Sequence, residues 1–141
     1  MNNPTNPLNS NTLIARCHES LFAITQRTEN LSYMILSTSD GYVISHTVPI
    51  DSQTDPKRLA AMAASFAGIG SGLAAETHLE GVEGNIIESK DGFLGCRLIK
   101  TDTLDAVLLG VFQQHATHGL ALWTLKKASG EIKDIVKLFN S

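Results

Sequence analysis

The chain is predicted to be an α+β sandwich with the order α-β-β-α-β-β-β-α, a five-stranded antiparallel sheet with helices on both faces. Three observations predict this. Apolar residues recur at three- and four-residue steps in three separate stretches, the signature of amphipathic helices. Two short apolar runs are broken by Asp40-Gly41 and Lys90-Asp91-Gly92, tight-turn chemistry that makes their flanking strands antiparallel hairpins. Two other runs, Leu31–Thr38 and Leu104–Phe112, are apolar at both odd and even positions. Such strands are buried on both sides, so the sheet needs a helical layer on each face.

A first helix is expected to start after Asn11 or Thr12 and to run to about Thr28. Leu13, Cys17, Leu21 and Ile24 form its stripe, widened by Ile14 and Phe22, and Asn30 ends it. In the strand that follows, Tyr33 and Ile35 face one way, Met34 and Leu36 the other. Tyr42–Thr47 returns as its hairpin partner. After the central helix, Val82–Ser89 is half polar and reads as an edge strand. Phe93–Lys100 then carries Leu94, Cys96 and Leu98 on one face, and Leu104–Phe112 is central. A last helix from about Thr117 to Asn140 is expected to bury Leu122, Leu125, Ile132, Val136 and Phe139, with Trp123 in the core. The domain is thus expected over residues 12–141. Residues 1–11 lack the basic patch and apolar run of a signal peptide and read as a disordered tail.

The organising stretch is Asp55–Glu80. Asp55 is a good N-cap and Pro56 suits the first helical position. Leu59, Met62, Phe66, Ile69 and Leu73 form a bulky stripe, expected to cover the sheet. Beside it runs a small stripe of Ala60, Ala64, Gly68 and Gly72, extended by Ser71 and Ala75. Interior glycines each cost a helix about 1 kcal/mol against alanine. Gly68, Gly70 and Gly72 therefore suggest a close neighbour, most simply a second copy of the same helix in a homodimer. Gly68-x-x-x-Gly72 also matches a membrane-helix packing motif, yet the segment is mostly Ala, Gly and Ser, too weakly apolar to favour insertion. The run Gly-Ile-Gly-Ser-Gly has no preceding strand and no following Gly-Lys-Ser/Thr, which excludes a phosphate loop.

Composition excludes several classes. The length of 141 residues fits one domain with a real core. Net charge is −3 and the 11 Lys and Arg are scattered, which argues against a nucleic-acid footprint. Only Cys17 and Cys96 are present, without paired-motif spacing, so no disulfide framework or zinc ribbon is implied and the cytoplasm is the default. No catalytic set emerges. His115 and His118 have metal-compatible spacing but no further ligand nearby. Glu76, His78 and Glu80 read as a solvated helix end. Ser71 lies between two glycines, but Ile69 and Leu73 hold the positions where a nucleophile elbow needs them, and Cys96 reads as a small core residue. No catalytic, cofactor-binding or metal residue is assigned.

The strand-Ser39-Asp40-Gly41-strand hairpin, the helix with Phe-Ala-Gly-Ile-Gly-Ser-Gly-Leu-Ala-Ala-Glu, and the three strands and helix behind it resemble the roadblock/dynein light chain family, from about Thr12 to Asn140. The resemblance implies a roadblock/profilin-like fold, a dimer in which central helices pair and edge strands join two sheets, and no catalytic residue. It also implies a non-enzymatic regulator or scaffold of a small Ras-like GTPase, either activating hydrolysis or modulating exchange. The dimer interface would include Ala60, Ala64, Gly68, Ser71, Gly72 and Ala75. The partner surface would include Lys57, Arg58, Ala61 and Ser65. The alternative reading is a small-molecule sensor or a generic dimerisation or adaptor module.

Overall fold

A computed structural model describes residues 11–140. The expected tail lies outside the described residues except for Asn11, which opens the first helix. The elements are α1 (Asn11–Arg27), β1 (Leu31–Thr38), β2 (Val43–His46), α2 (Pro56–Glu76), β3 (Gly84–Ser89), β4 (Gly92–Lys100), β5 (Asp105–Gln113) and α3 (His118–Phe139). The order matches the sequence reading, with boundaries shifted by a residue or two, except that α2 ends at Glu76, well short of the Glu80 that closed the expected stretch. All strand pairs are antiparallel, and the sheet runs β2-β1-β5-β4-β3. The two fully apolar strands, β1 and β5, are adjacent and central, while β3 is an outer strand, as its polar half predicted.

Local chemistry fixes the element ends. The Asp55 side chain accepts from the Lys57 N–H at 3.0 Å and Pro56 opens α2. Thr117 caps α3 by accepting from the Leu120 N–H. In the first hairpin Gly41 has φ +98°, a conformation that costs glycine little.

The two faces of the sheet are packed differently. On one, α1 and α3 bury Leu13, Cys17, Leu21, Ile24, Leu125, Ile132 and Val136 against Met34, Leu36, Phe93, Ile99, Leu108 and Phe112. Here the sheet yields space: Gly95 and Gly110 are paired across β4 and β5, and a methyl carbon of Leu125 lies within 3 Å of where either Cβ would stand. On the other face the strands supply the bulk, through Ile35, Val107 and Leu109 with Tyr33, Leu94, Leu98 and Val111. Helix α2 sets Ala60, Ala63 and Ala67 onto them.

That arrangement corrects four expectations. The bulky stripe of α2 does not cover the sheet: Leu59 and Phe66 are half-buried, but Met62, Ile69 and Leu73 are 57%, 71% and 66% exposed. A sheet face already filled by strand side chains accepts only a small-residue helix surface at close range. Trp123 is exposed, lying under the Lys127 ammonium at 5.1 Å, where its ring gains a cation–π contact instead of core packing. Leu122 is also exposed; Ala121, Thr124, Ala128 and Ile135 complete the buried side of α3 in its place. Phe22 likewise projects from the α1 stripe and stacks on His18.

Candidate interaction surface

The exposed side of α2 is the most distinctive surface of the domain. Met62, Ile69 and Leu73 lie on one flank, which faces β3. Between helix and strand sits a groove lined by Phe66, Ile69, Leu73, Leu79 and Ile86, with a cavity of about 740 Å³. A smaller apolar hollow of about 160 Å³ continues it between Met62, Phe66, Ile87 and Leu94. Register explains how Ile87 reaches this face. It opposes Leu94, whose side chain packs on the α2 side of the sheet. The outer edge of β3 pairs with no other strand in the sheet. An unpaired edge beside a run of exposed large apolar residues is a surface suited to burial against another chain.

The three interior glycines divide into two kinds. A Cβ at Gly70 would collide with the Asn85 amide, and that amide's Nδ2 donates to the Phe66 carbonyl at 2.9 Å. Gly70 thus lets β3 and α2 approach, and its close neighbour lies within the chain. Around Gly68 and Gly72 a Cβ would meet nothing within 4 Å. The expected small stripe is therefore split by the fold. Ala60 is fully buried against the sheet, its carbonyl accepting from Ser37 Oγ at 3.3 Å, which removes it from any outer seam. Ala64 and Ser71 are half-buried on the flank away from β3, while Gly68, Gly72 and Ala75 are exposed. Lys57, Arg58, Ala61 and Ser65 are all exposed near the start of α2, on its solvent side.

The remaining candidate residues have structural surroundings. His118 pairs with Glu88 at 3.1 Å and packs edge-on to Phe93, while His115 is exposed before the helix. Among the described residues no group of three or more His, Cys, Asp or Glu is placed to hold a metal. Glu76, His78 and Glu80 are solvated. Both thiols are core groups: burial pushes Cys96 up to about 12, and pushes Cys17 up to about 11 against a smaller opposing effect of Arg16. Neither is poised as a nucleophile. Helix α2 is long and apolar enough to cross a membrane by length and composition alone. In the fold its alanine face and the Asn85 bond tie it to the sheet.

The Roadblock/LC7 domain profile matches residues 18–108, covering the first two strands, α2 and most of the second strand set. The chain belongs to the Roadblock/LC7 domain family. Solved structures repeat the roadblock fold at low identity. Myxococcus xanthus MglB is 21% identical with a TM-score of 0.78, covering 89% of this chain and 91% of its own. The gliding protein MglB from Thermus thermophilus is 21% identical with a TM-score of 0.76, covering 91% of this chain and 93% of its own. A Roadblock/LC7 domain from Streptomyces avermitilis is 13% identical with a TM-score of 0.73, covering 85% of this chain and 97% of its own. No curated protein sequence matches the chain. Roadblock domains generally act as non-catalytic regulators.

Met62, Ile69 and Leu73 are large and periodic and so were expected to cover the sheet, yet the fold leaves them exposed. A signal did exist: Gly95 and Gly110 show which sheet face lacks bulk, and hence where large helical side chains are needed.

Proposed function

We propose that this roadblock domain is a homodimeric, non-enzymatic regulator or scaffold of a small Ras-like GTPase in the cytoplasm. The observation that carries the reading is the exposed stripe Met62, Ile69 and Leu73 beside the free edge of β3. In the proposed dimer two copies join through this stripe and through their β3 edges. Each copy presents the same patch, so every apolar contact is made twice. The small residues Ala64, Gly68, Ser71, Gly72 and Ala75 then remain on the outward surface, with Lys57, Arg58, Ala61 and Ser65. That surface is assigned to the GTPase. Lys57 and Arg58 carry positive charge at a helix start, where the macrodipole disfavours it, so an acidic partner surface would relieve both. The likeness to gliding-protein MglB structures supports a GTPase-linked role through the resemblance already drawn.

The test has two parts. Light scattering of the full chain is expected to give a dimer mass, and Ile69→Lys with Leu73→Lys to give a monomer with native-like circular dichroism. Purified protein is then mixed with small GTPases from the source cell, and single-turnover GTP hydrolysis and GDP release are followed. A change in either rate, dependent on the chain, is the expected result. A wild-type monomer at high micromolar concentration overturns the dimer. Absence of binding to every such GTPase overturns the regulatory role.

A further inference from the structure

We propose that the cleft between α3 and the end of β4 binds a small phosphate-bearing molecule. Its cations lie outside the α2 surface, so binding can be tested apart from the GTPase reading, although Glu83 and Ile86 border both regions. It also gives the small-molecule alternative a definite place.

The cleft has a volume of about 340 Å³, near the lower end of the roughly 300–1,000 Å³ typical of small-ligand sites. Lys126 and Lys133 line it from α3. They are two helical turns apart and share one face, about 10 Å apart along the axis, a span their side chains close from both ends. Arg97 lines it from β4 and lies on the same sheet face as Phe93 and Ile99, the face that α3 covers. The chain as a whole has net charge −3, yet Arg97, Lys126 and Lys133, with Lys100 also on the lining, share the cleft with the single carboxylate of Glu83.

Glu83 offsets only part of this charge. Its Oε2 forms an ion pair with the Arg97 guanidinium at 3.6 Å, without a hydrogen bond, and its own side chain is largely in water. The Arg97 side chain is only 19% exposed. Among the described residues no hydrogen bond reaches its guanidinium. A planar fork of five donors with lysine ammoniums beside it matches the oxygens of a phosphate group, which takes paired N–H donors and a surplus of positive charge.

Gly130 points the same way. It sits in the middle of α3, where glycine costs helix stability, and it lines the cleft. A Cβ there would meet nothing within 4 Å, so packing within the chain does not call for glycine. An occupant of the cleft would. A second hollow of about 290 Å³ shares Glu83 and Arg97 and runs on between Ile86 and Leu122. It offers an apolar bed for an organic group attached to the phosphate.

The experiment is calorimetric titration of the full chain at low ionic strength with inorganic pyrophosphate and with ADP. Saturable binding is expected for both. Lys126→Gln with Lys133→Gln should weaken it about tenfold or more, the scale of a lost charge-assisted contact. Gly130→Leu should raise the melting temperature, because leucine is the better helix former and nothing crowds it, while weakening both ligands by filling the cleft. No heat from either probe at millimolar concentration overturns the site. So does equal affinity in wild type and both variants. Binding to vesicles carrying a phosphoinositide, with none to free pyrophosphate or ADP, overturns the soluble ligand.

Discussion

On the α1/α3 side of the sheet, Leu21, Ile132 and Val136 are large helical side chains with no exposure at all. On the α2 side the helix touches the sheet with Ala60, Ala63 and Ala67 and leaves Met62, Ile69 and Leu73 in water. The helices differ less in hydrophobic content than in what the strands beneath them provide. Gly95 and Gly110 open room for Leu125 on one side, whereas Tyr33, Leu94, Leu98 and Val111 fill the space on the other. Large apolar residues at helical spacing show that a helix has an apolar face. Whether that face lies against its own sheet depends on the volume the sheet leaves free. When it does not, the face is available to another chain.

The sharpest break of this contrast compares truncations on the two sides. Ile132→Ala removes buried volume from the α1/α3 core and is expected to cost about 2–5 kcal/mol in urea unfolding. Leu73→Ala removes a similar side chain from the surface and should change the stability of the isolated monomer by no more than about 0.5 kcal/mol. Equal losses at the same dilute concentration would mean that Leu73 is packed within its own chain.

The glycines sharpen it next. Gly70→Leu must displace the Asn85 amide and its bond to the Phe66 carbonyl, and overpacking of this kind costs about 1–3 kcal/mol. Gly72→Leu meets open space in the monomer and improves helix propensity by about 0.8 kcal/mol. It should therefore stabilise the monomer, keep the dimer, and weaken GTPase binding. A fall to monomer mass on light scattering would return the dimer seam to the small stripe.

Reversing the charge at Lys57→Glu with Arg58→Glu should leave circular dichroism and dimer mass unchanged. Both side chains are exposed, so the effect is expected in the association rate with the GTPase and in its salt dependence. An unchanged association rate at low salt would place the GTPase elsewhere.

The smallest effect is at the β2 edge. Burial lowers the pKa of His46 below its usual 6.5, with the charge of nearby His18 adding to the shift. The neutral ring's Nδ1 accepts from the Val48 N–H at 3.1 Å. The unfolded chain therefore binds this proton more readily than the folded one. The contribution is complete above pH 6.5 and declines as pH falls from there toward the lowered folded value. His46→Asn keeps an acceptor without titrating, and its unfolding curves should lack that slope. An identical slope in wild type and variant would remove His46 as its source.

Much of the fold was legible because the signals are local. The caps Asp55 and Thr117, the turns at Gly41 and Gly92, the alternation in β4 and the two-sided apolar runs of β1 and β5 act within a few residues of one another. They specify elements, strand pairing and the central place of β1 and β5 wherever the rest of the chain lies. Tertiary structure alone decided which flank of α2 meets the sheet, that Trp123 stays outside, and that Arg97, Lys126 and Lys133 share one cleft. Each depends on the volume or charge contributed by an element distant in sequence. Periodicity reports which side chains share a face; only packing determines what that face is pressed against.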